Sequence, residues 1–185
     1  SGTTGKPKGA MLTHQNLVSN AHQLINLWNI DTSDTLIHSL PIYHTHGLFV
    51  AINTSMMSGA TIRFIKNFNI DLVIEAFKYS TLMMGVPTFY TRLIKDKRLD
   101  KSLTKNMKLF ISGSAPLLTE THQDFYNITG HQILERYGMT ETNMNTSNPF
   151  DGERKAGSVG KPLKDISIRI NKTKGDKDTV LNKIG

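Results

Sequence analysis

Ser1-Gly-Thr-Thr-Gly-Lys-Pro-Lys-Gly9 combines three glycines with hydroxyl and amine side chains. Glycine lets a backbone approach a ligand closely and point successive N–H groups at an anion, while hydroxyl and ammonium groups donate to phosphate oxygens. The stretch is not a Walker loop, because Pro7 stands where that loop needs Ser or Thr to hold Mg²⁺. Composition alone supports a flexible polar linker as well as a phosphate-binding loop. In the second interpretation the phosphates would face Ser1, Gly2, Thr3, Thr4, Gly5, Lys6, Lys8 and Gly9.

The rest of the chain alternates β-rich and amphipathic segments. Thr13 is a predicted N-cap, followed at helical spacing by Leu17, Ala21, Leu24 and Trp28. Further helices are predicted at 47–57, 69–79, 87–97 and 117–128, strands at 34–40, 61–65, 81–86, 107–111, 131–136 and 166–170, and polar connections at 97–108 and 138–161. Because strands alternate with helices, we predict an α/β fold, a parallel sheet with flanking helices.

The composition is that of a globular chain and limits the classes of partner. Of 185 residues, 38% are hydrophobic and 20% charged, and cysteine is absent, which excludes disulfides and thiolate metal sites. No apolar run reaches the roughly 18 residues of a membrane span. The net charge of +7 fits a nucleic acid or an anionic small ligand such as a nucleotide or coenzyme A. The lysines are scattered, so we favour the small ligand and expect no nucleic-acid partner.

A second motif, Tyr137-Gly-Met-Thr-Glu141, gathers groups suited to a nucleotide. The Tyr137 ring offers a flat face to a base, Gly138 would let the chain turn, and Thr140 can donate to a phosphate. Glu141 supplies the hard oxygen ligand that Mg²⁺ prefers. On its own, the motif is also compatible with an ordinary loop.

A third motif, Ser112-Gly-Ser-Ala-Pro116, follows a predicted strand. Its small residues would let a planar ligand lie against the backbone. A tight turn in which Pro116 opens the next helix is equally compatible with the sequence.

A fourth motif, Pro41-Ile-Tyr-His-Thr-His-Gly47, contains two histidines two residues apart. No third and fourth ligand at metal spacing accompanies them, so zinc is not expected.

In residue order, Ser1 to Gly9 resembles the phosphate loop of the adenylate-forming superfamily, which includes acyl-CoA synthetases, peptide-synthetase adenylation domains and luciferases. Tyr137 to Glu141 resembles the second motif of that superfamily, and the two motifs stand in the expected order. The resemblance covers nearly the whole chain and implies part of the large N-terminal domain of an AMP-forming acyl-CoA synthetase. It also implies that Tyr137 lies against adenine, Thr140 contacts the α-phosphate and Glu141 holds Mg²⁺.

The same resemblance assigns further roles. His44 would lie beside the reacting carboxylate and the α-phosphate, where an imidazole can stabilise developing charge, whereas His46 is favoured as structural. The implied catalytic residues are His44, Thr140, Glu141 and Lys6. Besides the first loop, the nucleotide would contact Gly113, Ser114, Ala115, Glu135, Arg136, Tyr137, Gly138 and Thr140.

Two arginines indicate the class of acid. The segments 41–48, 135–142 and 145–147 resemble malonyl-CoA synthetases. A dicarboxylic acid brings a second carboxylate, which is costly to bury without a partner and which the arginine fork binds in a bidentate way. By the resemblance, Arg92 and Arg136, helped by Ser114, would bind this distal carboxylate of malonate, and His44 would lie near the other end of the acid. A surface ion pair is the alternative role for either arginine.

The implied reaction converts malonate and ATP to malonyl-AMP and pyrophosphate, after which coenzyme A displaces AMP. ATP, Mg²⁺ and coenzyme A are therefore the expected cofactors and co-substrates. Methylmalonate, another short acid or an aryl acid are alternative substrates, and a nucleotide-binding fragment without catalysis is an alternative function.

The domain expectation is that residues 1–185 form a partial AMP-binding domain, truncated at both ends and inactive by itself. The family's ribose-binding aspartate, its hinge and its C-terminal domain with the adenylation lysine would follow Gly185. The cytoplasm is the expected compartment, or the mitochondrion if a transit peptide preceded Ser1.

Overall fold

The computed structural model describes Lys6 and residues 8–169. The strands are β1 (Thr35–His38), β2 (Thr61–Phe64), β3 (Leu82–Gly85), β4 (Leu109–Ser112), β5 (Leu134–Met139), β6 (Asn143–Ser147) and β7 (Lys161–Pro162). The α-helices are α1 (His14–Trp28), α2 (Asn53–Ser58), α3 (Ile70–Ala76), α4 (Pro87–Leu93) and α5 (Thr119–Thr129). A π-helical stretch, His46–Ile52, leads into α2, and a 3₁₀ turn, Phe77–Tyr79, follows α3. In the described part of the chain, no helix has the length and apolarity that a membrane crossing requires.

The strands form one seven-stranded sheet in the order β2-β1-β3-β4-β5-β6-β7. The five strands from β2 to β5 are parallel, whereas β6 pairs antiparallel with both β5 and β7. The α/β prediction with a parallel sheet is thus confirmed, and the antiparallel extension is an addition to it. The carboxyl ends of the parallel strands meet at one edge of the sheet, which is where ligands bind in open α/β folds.

Two hydrophobic cores enclose the parallel strands. Neighbouring strand residues alternate between them: Leu82 belongs to the core that contains Trp28 of α1, and Met83 to the core that contains Phe125 of α5. Strands buried on both faces are expected in a parallel sheet, because helices cover each side. The sheet therefore provides a rigid base for the loops at its carboxyl edge.

Helix α1 begins where the sequence predicts. The Thr13 hydroxyl accepts from the Asn16 N–H at 3.1 Å, and the Asn16 side chain accepts from the Thr13 N–H at 3.0 Å, which completes a capping box. Ala21, Leu24 and Trp28 are fully buried. The predicted amphipathic helix is confirmed.

The predicted helix over 47–57 is confirmed as helical, but its first half is π-helical. A Cβ atom on Gly47 would lie 2.2 Å from the Pro41 carbonyl oxygen. Glycine is needed here because the start of the π-helix packs directly on the preceding turn.

Several boundaries differ from the predictions. Residues 138–161 are mostly loop, as predicted, but they also contain the end of β5, the whole of β6 and the first residue of β7, which were not predicted. Residues 166–169 form no strand and pair with no described segment, while Ile170 and the lysine-rich tail lie outside the described residues. Helix α4 ends at Leu93 rather than near 97. Pro116 does not open α5, because Leu118 is its N-cap.

Candidate active site

A cleft of about 1040 Å³ lies at the carboxyl edge of the parallel strands. Its walls come from the loop after β1, the loop after β2, the turn after β4 and the β5–β6 hairpin. The structure brings six of the sequence-predicted site residues into it: His44, Ser114, Arg136, Gly138, Thr140 and Glu141.

Arg136 is the most deeply buried charge in the cleft wall. It lies in β5, is 3% exposed, and its Nε and Nη2 atoms have no hydrogen-bond partner among the described residues. No carboxylate in that part of the chain forms an ion pair with it. Burial lowers the pKa of Arg136 to about 10, so the side chain is still a cation at neutral pH. A buried cation without a partner is costly and points to an anionic ligand.

Gly113 makes room for this guanidinium. A Cβ atom on Gly113 would lie 2.3 Å from Arg136 Cζ and 2.6 Å from Nε. The sequence predicted that a planar ligand lies against this turn of small residues, but the planar group next to Gly113 is the guanidinium of Arg136. No residue other than glycine fits without displacing it.

Ser114 and His46 lie beside Arg136. Ser114 has a left-handed backbone (φ 71°), and its Oγ lies 3.1 Å from His46 Nδ1. His46 is 5% exposed, and burial, together with the nearby Arg136 and His38, holds its pKa well below the ordinary value. The imidazole is consequently neutral at pH 7. The sequence favoured a structural role for His46, but the ring lines the cleft.

The mouth of the cleft carries the predicted phosphate-side residues. His44 is exposed, and its ring centre is 4.6 Å from that of Tyr43. Thr140 is half-buried, and Glu141 is exposed. Glu141 fits a magnesium ion as a single protein ligand, since Mg²⁺ usually takes one or two carboxylates and completes its shell with phosphate and water. Among the described residues, no group of three His, Cys, Asp or Glu side chains could hold a metal.

Other predicted residues lie outside the cleft wall. Tyr137, 45% exposed, alternates with Arg136 and Gly138 along β5. The Glu135 carboxylate accepts from the Gly157 N–H at 2.9 Å and lies 3.8 Å from His122 Nδ1. Its partners are therefore on the face of β5 that points away from the cleft. Ala115 is exposed in the turn after β4.

Arg92 is separated from the cleft by the ring of Phe68. Its guanidinium carbon is 4.6 Å from the centre of the Phe68 ring, and Phe68 stacks on Phe89 at 4.2 Å. Both phenylalanines line the cleft, whereas Arg92 does not. The two arginines thus occupy different environments, one buried and one exposed.

The first loop is only partly described. Lys6, Lys8 and Gly9 are exposed and do not line the cleft. Ser1, Gly2, Thr3, Thr4 and Gly5 lie outside the described residues.

Lys66, which follows β2, lines the cleft but was not singled out by sequence reasoning. It carries no motif, so only the three-dimensional position identifies it.

Fold and cleft together define an α/β domain with a cleft at the carboxyl edge of its parallel strands, and the cleft wall contains a buried cation. The family model described as AMP-binding enzyme matches residues 1–185. The chain belongs to the AMP-binding enzyme family.

Curated relatives include malonate–CoA ligases. The chain is 36% identical over 200 residues to one from Arabidopsis thaliana, which covers 97% of this chain and 33% of the relative. It is 37% identical over 186 residues to a mitochondrial one from Mus musculus, covering 92% of this chain and 32% of the relative. The chain spans about a third of the length of these relatives.

Solved structures confirm the expected domain fold. ATP-bound MatB from Rhodopseudomonas palustris is 56% identical with a TM-score of 0.86, covering 88% of this chain and 32% of that one. A malonyl-CoA ligase in a ternary product complex with methylmalonyl-CoA and AMP is 38% identical with a TM-score of 0.83, covering 88% and 36%.

Proposed function

We propose that this chain works in an ATP-dependent, AMP-forming ligase that activates malonate to malonyl-CoA. The observation that carries the proposal is the guanidinium of Arg136, which is buried and, within residues 8–169, has no ion-pair partner. A pocket for a fatty or aryl acid needs no buried charge, whereas a dicarboxylate needs a partner for its second carboxylate. Arg136 is a cation in the cleft wall that has no partner among the described residues, and a carboxylate is its natural ligand.

The proposed reaction has two steps. A carboxylate oxygen of malonate attacks the α-phosphorus of ATP, the bond to the bridging oxygen of the β-phosphate breaks, and pyrophosphate leaves with that electron pair. The coenzyme A thiol, after losing its proton, attacks the acyl carbon, and AMP leaves with the electrons of the C–O bond. Both steps depend mainly on positioning and on neutralising charge.

The residues divide between the two ends of the acid. Arg136 and the Ser114 hydroxyl bind the distal carboxylate. His44 lies at the mouth, beside the reacting carboxylate and the α-phosphate, and Thr140 donates to that phosphate. Residues of the first loop, among them Lys6 and Lys8, bind the remaining phosphates.

Three further assignments complete the proposed site. Tyr137 provides the adenine platform. Glu141 would hold Mg²⁺, which neutralises phosphate charge when bound. Arg92, with its guanidinium over Phe68, would reach the acid only through a change of rotamer, so we assign it the weaker contribution.

The relatives support both the chemistry and the acid. Malonate–CoA ligases share 36–37% identity with the chain. Similar structures hold ATP in one case, and methylmalonyl-CoA with AMP in another. Methylmalonate, which keeps both carboxylates, is therefore the second acid to test.

The test replaces Arg136 by methionine, which keeps much of the volume and removes the charge. In the full-length gene product, Arg136→Met is expected to raise the malonate KM by at least about 30-fold, because losing a buried charge partner costs about 2–5 kcal/mol. The KM for ATP should stay within about twofold. Malonate-dependent pyrophosphate release gives both constants.

Arg98→Met is the matched control, because Arg98 pairs with Asp71 and Asp96 on the exposed surface. It should leave both constants unchanged, and Arg92→Met measures the second candidate arginine. Unchanged malonate kinetics in Arg136→Met, or wild-type preference for a monocarboxylic acid, would refute the dicarboxylate assignment.

A further inference from the structure

The contact between His46 and Ser114 joins two elements that are 68 residues apart in sequence. His46 Nδ1 lies 3.1 Å from Ser114 Oγ, and the His46 Nε2 atom is buried without a hydrogen-bond partner among the described residues. Ser114 needs an external partner to define its hydroxyl direction, because a serine hydroxyl can both donate and accept. His46 is the side chain that supplies that partner.

Both residues are held where they are by their surroundings. His46 begins the π-helix, whose second residue, Gly47, lies against the Pro41 carbonyl. π-Helical turns are rare and often occur at functional sites. Ser114 is one of few non-glycine residues with a positive φ, a conformation that costs on the order of 1–3 kcal/mol and persists only where the surroundings determine it.

The charge environment keeps the His46 ring neutral. The neutral ring has one N–H donor and one lone-pair acceptor. Burial, together with the nearby Arg136 cation, lowers the pKa of His46, which opposes a second proton on the ring. With the proton on Nδ1, the ring donates to Ser114 Oγ, and the serine proton is free to point into the cleft.

The opposite tautomer would be unfavourable for an anion. The Ser114 proton would then be directed at Nδ1, and only oxygen lone pairs would face a carboxylate. An anion next to Arg136 requires donors from every neighbour.

We propose that His46 is a positioning residue: its Nδ1–H donates to Ser114 Oγ and so directs the serine proton at the distal carboxylate of the acid bound to Arg136. This inference rests on the proposed function. His46 need not touch the acid or the nucleotide. It determines which way one donor of the carboxylate site points.

The experiment is a double-mutant cycle in the full-length gene product. His46→Leu and Ser114→Ala should each raise the malonate KM about 10-fold, with kcat and the KM for ATP within about twofold. The double variant should also be about 10-fold impaired rather than 100-fold, since both changes remove the same donor.

His46→Asn and His46→Gln separate positioning from packing. The asparagine amide can reach the position of Nδ1 and should restore the malonate KM to within about threefold of wild type. The longer glutamine places its amide near Nε2 and should remain impaired. Thermal midpoints identify any variant that fails to fold, and the Asn–Gln difference is then the deciding measurement.

Two kinds of failure can be told apart. If Arg136→Met raises the malonate KM but the His46→Leu and Ser114→Ala effects multiply, or if His46→Asn is no better than His46→Gln, the positioning role is wrong and the malonate assignment stands. If Arg136→Met leaves malonate kinetics unchanged, the proposed function itself has failed.

Discussion

At the scale of single residues, Arg136 determines what its neighbours must be. Taking a guanidinium out of water costs several kcal/mol. In addition, the buried Arg136 side chain fits beside the turn after β4 only if the residue of the turn that faces it has no side chain. Gly113 meets that requirement, with a virtual Cβ 2.3 Å from Arg136 Cζ. The glycine is therefore part of the proposed carboxylate site, although it has no functional group of its own.

Gly113→Ala should displace the Arg136 side chain, because the obstacle is a buried group and not a flexible chain end in solvent. We expect the malonate KM of the full-length gene product to rise at least about 10-fold, the ratio that corresponds to about 1.4 kcal/mol of lost binding. Steady-state kinetics at saturating ATP measure the change.

Gly130→Ala is the control for that prediction. Gly130 ends α5 with a φ of 78°, far from the cleft, and the virtual Cβ meets only Lys101 at 3.8 Å. This variant should lower the thermal midpoint but leave the malonate KM alone. A Gly113→Ala enzyme with wild-type malonate KM would contradict the packing argument.

Residues next to a recognisable motif could be singled out from the sequence, and others could not. Arg136 directly precedes the Tyr137 motif, so the resemblance alone brought it to attention. The neighbourhood of His46 depends on a turn 68 residues away in sequence, and no local pattern encodes that contact. Glu135 is the neighbour of Arg136 in the same segment, yet the alternation of β5 directs the Glu135 side chain to the other face, where it accepts from the Gly157 N–H.

At the scale of elements, the β5–β6 hairpin depends on helix α1. Asn20 Nδ2 donates to the Met144 carbonyl at 2.9 Å, and the Met144 N–H donates to Asn20 Oδ1 at 3.2 Å. Among the described residues, β7 pairs with Thr146 and Ser147 of β6, whereas both backbone groups of Met144 are bonded by the Asn20 side-chain amide. Met144 lines the cleft, and α1 thereby supports the site.

Asn20→Leu should free the Met144 backbone groups and destabilise the hairpin. We expect a loss of about 1–3 kcal/mol, the cost of leaving such groups unsatisfied, and faster hydrogen exchange at the Met144 amide than at the Thr146 amide. Ser19→Ala, one residue away and bonded only within α1, is the control. Unchanged exchange at Met144 in Asn20→Leu would show that the amide is not needed.

Helices and strands with strong local signals were predicted well, and hairpins closed by long-range contacts were not. The capping box at Thr13 and Asn16 and the apolar stripe of α1 are both local. Residues 143–148 resemble a loop because three asparagines occur there. One of them, Asn148, donates to the Glu135 carbonyl at 2.9 Å, a contact that only the folded hairpin creates.

At the scale of the whole molecule, two buried histidines and a half-buried one connect stability to pH. Burial lowers the pKa of His38, His46 and His131 below the ordinary value of 6.5. The unfolded chain, with ordinary histidines, therefore binds more protons than the native state as the pH falls below about 6.5, and the native state loses stability. Above that pH the histidines are neutral in both states and contribute no slope.

His38→Leu should reduce this pH dependence. His38 is fully buried at the end of β1, and both of its ring nitrogens lack partners among the described residues. Thermal midpoints at pH 7.5 and 5.5 should differ less for His38→Leu than for wild type. His22→Leu, on the exposed face of α1, is the control and should keep the wild-type difference. An equal difference in His38→Leu would exclude His38 as a source of acid sensitivity.

The Arg136 guanidinium, which has no partner in the part of the chain that the structure describes, also implies that dissolved salts affect the protein. If the cleft binds a dicarboxylate as proposed, chloride, sulfate or acetate would compete for the same hydrogen-bond donors. These salts would then act as competitive inhibitors, with potencies that depend on the identity of the ion at constant ionic strength. The rate of acid activation would then respond to the halide content of the surrounding fluid. The affinity of the cleft for malonate should therefore be measured in a buffer whose anions are too bulky to enter the cleft, rather than in ordinary saline.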